Sequence, residues 1–213
     1  MVWVRGAAIR PVPAYARVAE DTLDALEREL AQESDGAQRE LDLAFRRFEE
    51  TQPSLADKMT DVLGKPIDET ALALGYFLSI AIWLAFDRTF GERLARVTDD
   101  SVRATEAAIA LEEELRASHG HEPLELDDVV AMEQPGILSF VHEHVEAALD
   151  PGVDGDASPE PGDPSETTEE TTRREVDVDD VHAVYRAILV LTLSLSHAVA
   201  PIDGATRTHE LLA

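Results

Sequence analysis

Apolar residues recur along this chain at intervals of three and four, the spacing of amphipathic helices, and the alternation that strands require is missing. Glycine, proline and aspartate separate the apolar runs, and all three are signals of helix boundaries. The pattern therefore predicts an all-α fold, a single helical bundle of about eight helices. The predicted helices cover residues 13–35, 37–52, 53–63, 69–90, 100–119, 126–133, 135–149 and 178–200.

The predicted fourth helix is the most informative, because residues 71–86 form a run of 16 without a charged side chain. A helix that is apolar on every side lies either at the centre of a bundle or in a membrane. Since crossing a bilayer takes about 20 apolar residues, this run is too short, and we expect a central bundle helix. The last predicted helix, apolar over most of residues 187–200, is expected to pack against it.

Two parts of the chain repeat a similar pattern, which suggests a tandem duplication of a helix pair. The Gln-Pro dipeptide that begins at Gln52, with the apolar positions around it, recurs at Gln134. The aspartate that precedes an apolar helix, Asp68, recurs as Asp177. Related halves would form a pseudo-twofold four-helix core. The alternative is that the shared spacing is common to all buried helices.

Residues 150–175 differ from the rest of the chain in composition. They contain four prolines and nine acidic residues, with Val153 and Ala157 as the only apolar side chains. Such a segment cannot bury enough apolar area to offset the entropy that ordering costs. We interpret it as a disordered acidic insertion in a single helical domain that comprises residues 1–149 together with 176–213.

The charge of the chain is strongly negative, with 44 acidic against 18 basic residues and a formal net charge of -26. Only two basic residues, Lys58 and Lys65, are lysines. This composition resembles that of proteins from the salt-saturated cytoplasm of halophilic organisms, in which screened carboxylates keep a protein soluble. The competing explanation is a basic partner. A phosphate backbone would be repelled, so no nucleic-acid partner is expected.

Two further features narrow the class of protein. The chain has no cysteine, which excludes disulfide scaffolds, thiol nucleophiles and thiolate metal sites. Residues 1–19 contain three arginines but lack the apolar core of a signal peptide, so a cytoplasmic location is expected. Because this segment has no acidic residue, it is predicted either to lie on an acidic surface, its own or a partner's, or to be a frayed terminus.

Metal-ligand side chains cluster at one place in the sequence, around His142 and His144. His142 and Glu146 are four residues apart and share one helix face, as one edge of a zinc or iron site requires. The two-histidine spacing of zinc proteases and the Glu-x-x-His pairs of ferritin-like proteins are missing. His142, His144 and Glu146 are therefore a candidate metal site, and a solvent-exposed acidic face is the alternative.

Tyr76 and Tyr185 each place a hydroxyl in an apolar helix, where a buried hydroxyl needs a hydrogen-bond partner. Gln52 and Gln134, at matching helix starts of the proposed repeat, are the candidate partners. The four side chains are predicted to form a polar pocket on the pseudo-twofold axis, unless they only satisfy one another or point outward. The chain has no Gly-x-Ser-x-Gly nucleophile motif and no glycine-rich phosphate loop.

These patterns favour a non-enzymatic helical interaction or structural protein, adapted to high salt and able to self-associate. The expected partner is another protein or a second copy of the chain, and a membrane partner is not expected. No cofactor is predicted. The alternative is a small-ligand or metal-binding helical bundle, with or without enzymatic activity.

Overall fold

The computed structural model describes residues 8–30, 35–119, 133–149 and 177–202. In this part of the chain there are seven α-helices and no strand, which confirms the prediction of an all-α fold. Two short 3₁₀ helices cover Ala14–Ala16 and Gly91–Arg93. The α-helices are α1 (Glu20–Leu30), α2 (Asp35–Thr51), α3 (Pro53–Leu63), α4 (Glu69–Phe90), α5 (Asp99–His119), α6 (Pro135–Leu149) and α7 (Val178–Ala198).

Local sequence explains several of these helix ends. Pro53 starts α3, where a missing N–H costs nothing. The Asp68 carboxylate accepts a hydrogen bond from the N–H of Thr70 at 2.7 Å and so caps α4. Gly91 ends α4 with a φ of 52°, which is unfavourable for a residue with a side chain. The Asp177 carboxylate accepts from the N–H of Asp179 at the start of α7.

The first helix begins later than the apolar spacing predicts. A 3₁₀ turn covers Ala14–Ala16, and α1 starts only at Glu20. Between them the chain is extended, with Arg17 at φ -82° and ψ 131°. The prediction of one helix from Pro13 is therefore wrong, and the contacts of the extended segment with α6 explain why.

The α4 helix is the centre of the bundle. It packs on α1, α2, α3, α6 and α7, and it buries residues on all of its faces, Trp83 and Phe86 among them. Its most extensive contact is with α7, as expected for the two most apolar helices. Gly75 permits this close approach, since an added Cβ would lie 3.0 Å from Cγ1 of Val184.

Two helices, α4 with its extension to Arg93 and α7, are long and apolar enough to cross a membrane. Of each apolar window, 67% is buried inside the protein. A fully apolar helix is equally suited to the centre of a bundle, and burial by neighbouring helices is what distinguishes the two situations. In the described structure both helices pack on other helices of the bundle.

Apart from the contact with α2, the contacts of α4 have counterparts among those of α7. The α7 helix packs on α5, α3 and α6, whereas α4 packs on α1, α6 and α3. Exchanging α1 with α5, α3 with α6, and α4 with α7 therefore reproduces these pairings. The predicted helix over residues 126–133, except Glu133, and the predicted insertion over residues 150–175 lie outside the described residues.

Candidate functional site

The three predicted metal ligands lie on α6, and each has a different environment. His142 Nε2 lies 3.0 Å from the hydroxyl of Tyr185 on α7. His144 Nδ1 lies 2.9 Å from the carbonyl O of Phe140, one turn earlier, and Glu146 is exposed. Within the described ranges no group of three or more His, Asp or Glu side chains could hold a metal ion. The structure therefore does not bring these residues together as a metal site.

The four residues of the predicted polar pocket also lie in separate places. Tyr76 stacks on Phe45 of α2, with ring centroids 5.0 Å apart, whereas Tyr185 lies beside His142. Burial raises the pKa of Tyr76, and two acidic side chains of α2 raise it further. The two glutamines bind backbone groups of different segments. On the helix face that was the alternative to a metal site, Glu143 and Glu146 are exposed, whereas the ring of His142 is half-buried.

Gln52 is buried immediately before α3, where it holds the segment that leads into α5. Its side-chain NH₂ donates to the carbonyl O of Ala95 at 3.1 Å. Its Oε1 accepts a hydrogen bond from the N–H of Val97 at 2.8 Å. A side-chain amide that binds the C=O and N–H of alternate residues replaces the partners that a neighbouring strand would supply. Gln52 therefore fixes the entry of α5.

Gln134, immediately before α6, forms the same pair of hydrogen bonds with another backbone segment. Its NH₂ donates to Ala16 O at 2.8 Å, and its Oε1 accepts from the N–H of Val18 at 3.1 Å. The NH₂ also donates to Ser196 Oγ of α7 at 2.8 Å. We name these two arrangements the glutamine clasps. They explain why the chain is extended before α1.

The two clasped segments share a sequence. Ala-Arg-Val occupies positions 16–18 and recurs at positions 95–97, with Asp21 and Asp100 at the same spacing beyond it. Apolar periodicity does not reveal this tripeptide, because it lies between helices rather than within them. The repeated tripeptide is the sequence signal from which the clasps could have been found.

Within residues 8–19, which precede α1, three positions contact acidic side chains of the same chain. The N–H of Val12 donates to Oε2 of Glu133 at 2.8 Å, and the N–H of Ala8 donates to Oε2 of Glu112 at 2.6 Å. Both glutamates are buried, and Arg17 lies 3.9 Å from Glu133. The backbone N–H donors thus offset the free-energy cost of burying these two carboxylates. Both glutamates therefore have a structural role.

His197, near the end of α7, also contacts the N-terminal segment. Its Nε2 lies 3.2 Å from the carbonyl O of Arg10. Burial lowers the pKa of His197 below the ordinary value of 6.5, and the charge of Arg10 lowers it further, although the hydrogen bond to the Arg10 carbonyl opposes this. The folded protein therefore favours the neutral ring.

One open groove lies between α2, α3 and α4 and has a volume of about 220 Å³. Its lining is mainly apolar and aromatic. Leu72 is 41% exposed at this groove, and the ring of Tyr76 is half-buried. We name it the apolar groove. It is lined by Phe45, Phe48, Ala56, Met59, Thr60, Leu63, Gly64, Leu72, Tyr76 and Ser79.

A second, larger cleft of about 450 Å³ lies between α3, α5 and α7. It combines an apolar floor with three cationic and two acidic side chains. Lys58 pairs with Glu106, and Arg186 pairs with Glu113 at 2.8 Å. We name it the lysine cleft. It is lined by Lys58, Val62, Lys65, Pro66, Ile67, Glu106, Asp180, Ala183, Arg186, Ala187 and Val190.

The groove and the cleft are two surface features of the described structure that a partner or ligand could occupy. The buried polar groups considered above, by contrast, bind backbone segments and hold the bundle together. In the comparisons with known proteins, no family model, no curated protein and no solved structure matches this chain.

Proposed function

We propose that this chain is a non-enzymatic helical interaction protein that works in a high-salt cytoplasm and binds a protein partner through the apolar groove. The observation that carries the proposal is the open, aromatic lining of that groove, with Leu72 exposed at its edge. An exposed apolar surface of this kind is a common feature of protein interaction sites. A partner side chain that fills the groove would bury the exposed part of Leu72.

The charge near the groove indicates what kind of partner fits. Asp42 and Glu49 of α2 are close enough to raise the pKa of Tyr76, so carboxylates flank the groove on its α2 side. A groove that is apolar inside and flanked by carboxylates on one side complements an amphipathic helix whose apolar residues are flanked by basic ones. A second copy of this chain, itself at -26, complements these carboxylates less well.

The experiment compares the wild type with Leu72→Asp, which places a charge in the groove, and with Leu111→Asp. Leu111 is an exposed leucine on α5 and is the matched control. Each tagged protein is used to capture partners from its source cells in molar KCl, and light scattering measures its own oligomeric state. We expect a defined partner that is lost with Leu72→Asp and retained with Leu111→Asp.

The outcomes separate the possible occupants. A wild type that forms dimers, which Leu72→Asp but not Leu111→Asp dissociates, identifies the occupant as a second copy. A monomeric wild type whose captured proteins are the same for all three variants contradicts an interaction through the groove. Circular dichroism of each variant checks that the helices remain folded.

We further infer that the chain arose by tandem duplication of a helical unit. The two glutamine clasps support this, since each joins a Gln-Pro helix start of one unit to an Ala-Arg-Val segment of the other. Such reciprocal contacts are those of an isologous interface. Gly75 and Val184, which the offset from Asp68 to Asp177 places at equivalent positions, also face each other at the α4–α7 contact.

A small-ligand-binding bundle is the second candidate function. The lysine cleft favours it, because its volume lies in the range of about 300 to 1,000 Å³ that small-molecule sites occupy. A metal-binding form of this candidate is less well supported, since His142 and His144 bind different partners.

A further inference from the structure

We propose that the lysine cleft binds a small organic anion, one carboxylate or phosphate group attached to an apolar body. This goes beyond the proposed interaction through the apolar groove and does not depend on it. Both lysines of the chain, Lys58 and Lys65, line this single cleft. Arg186 of α7 is the third cation of the lining.

The cleft lacks the strong negative charge of the rest of the protein. Three cations and two carboxylates, Glu106 and Asp180, line it, and Glu113, which pairs with Arg186, brings the local formal charge to about zero, whereas the chain carries -26. An anion that approaches this protein is repelled by most of its surface. The cleft is therefore a place where an anionic group can be accepted.

The three cations are not equally available to a ligand. Lys58 is paired with Glu106 and Arg186 with Glu113, so part of their charge is already compensated. The Lys65 ammonium has no ion-pair or hydrogen-bond partner among the described residues. A lysine ammonium is a compact charge with three rotatable donors, which suits a single carboxylate or phosphate oxygen. Lys65 is therefore the primary anchor.

The floor of the cleft explains the apolar part of the ligand. Val62 and Ile67 lie on one side, and Ala187 and Val190 of α7 lie on the other. An apolar ring or chain placed on these side chains gains free energy from burial, and this gain is not weakened by salt. Binding in a salt-rich solvent therefore depends on the apolar body for affinity and on Lys65 for selection of the anion.

The remaining acidic group of the lining is already engaged. Oδ2 of Asp180 accepts a hydrogen bond from the N–H of Asp68 at 2.7 Å. This bond joins the start of α4 to the start of α7 and keeps the carboxylate in place. Asp180 thus adds a fixed negative charge beside the segment that carries Lys65, and it disfavours ligands with several negative charges.

The test uses anilinonaphthalene sulfonate, a fluorescent anion with an apolar body, titrated into the full chain in about 1 M KCl. We expect Lys65→Glu to weaken its binding roughly tenfold and Lys65→Arg to weaken it much less. The matched control is Arg46→Glu, which makes the same change of charge at an exposed position on α2. The uncharged N-phenylnaphthylamine should bind the wild type and Lys65→Glu equally.

Displacement identifies the class of anion. Octanoate or octyl phosphate should displace the probe from the wild type much more strongly than octanol does at the same concentration. Stronger displacement by one anion distinguishes a carboxylate ligand from a phosphate ligand. Equal displacement by octanol, or equal weakening by Arg46→Glu and Lys65→Glu, would overturn the proposal. Circular dichroism of each variant excludes unfolding as the cause of lost binding.

Discussion

Trp83 is fully buried in α4, where its ring contacts Phe48 of α2 and the guanidinium of Arg47 lies 5.5 Å from its centroid. We expect Trp83→Ala to lower the free energy of unfolding by about 3 to 5 kcal/mol, because it removes a large ring and leaves a cavity. Denaturant unfolding in molar KCl measures the loss. The control Leu72→Ala, at an exposed position, should cost much less. A Trp83→Ala variant as stable as the wild type would contradict the central position of α4.

His197 gives the stability of the protein a predictable pH dependence. Because its pKa is lowered in the folded state, the unfolded chain takes up the proton first as the pH falls through about 6.5. Its contribution to stability is therefore present above that pH and is lost below it. On acidification from neutral pH the wild type should lose more stability than His197→Gln. Parallel pH profiles for the two proteins would show that His197 is not involved.

Each glutamine clasp connects two helices. The glutamine before one helix binds the backbone segment that leads into another helix and so fixes where that helix begins. We expect Gln134→Ala to destabilise the protein by at least about 2 kcal/mol, because a buried backbone N–H and C=O lose their partners. Gln52→Ala should cost less, since Gln134 also binds Ser196. Denaturant unfolding measures both changes.

Hydrogen exchange provides the reciprocal control for the clasps. The amide of Val18 should exchange faster in Gln134→Ala, and the amide of Val97 should exchange faster in Gln52→Ala. Each variant should leave the other clasp protected. If both amides respond equally to either substitution, the variants loosen the whole bundle, and the clasps do not act as separate local contacts.

The whole molecule carries a charge of -26, and its folding should depend on salt. Repulsion between carboxylates opposes the compact state, and at about 1 M KCl the screening length falls to roughly 3 Å. We expect the melting temperature to rise steeply from low salt to molar KCl. Sucrose, which stabilises by exclusion without screening, is the control and should give a smaller rise. A melting temperature that stays constant with added KCl would contradict this prediction.

The packing of the bundle also determines how the apolar groove and the lysine cleft are arranged. The α3 helix separates them: Ala56, Met59 and Leu63 line the apolar groove, whereas Lys58 and Val62 line the lysine cleft. A ligand in one feature and a partner in the other would therefore share the same helix. The variants at Leu72 and Lys65 test the two features independently.

The fold class, the ends of α3, α4 and α6 and the cap of α7 can all be predicted from the sequence. Pro53, Pro135 and the capping residues Asp68 and Asp177 act on the turn that follows them, so their effect is local and can be recognised without a structure. The long apolar run of α4 likewise predicted burial on every face.

Features that depend on residues far apart in the chain could not be predicted in this way, because they arise from contacts between helices. The entry of α1 is fixed by Gln134, which is 116 residues from Val18, so apolar spacing around Pro13 predicted a helix that tertiary contacts prevent. The separation of His142 from His144 follows from which neighbouring helix each side chain meets. The lysine cleft exists because helix packing brings α7 beside α3. A local sequence pattern carries no information on the distance between these two helices.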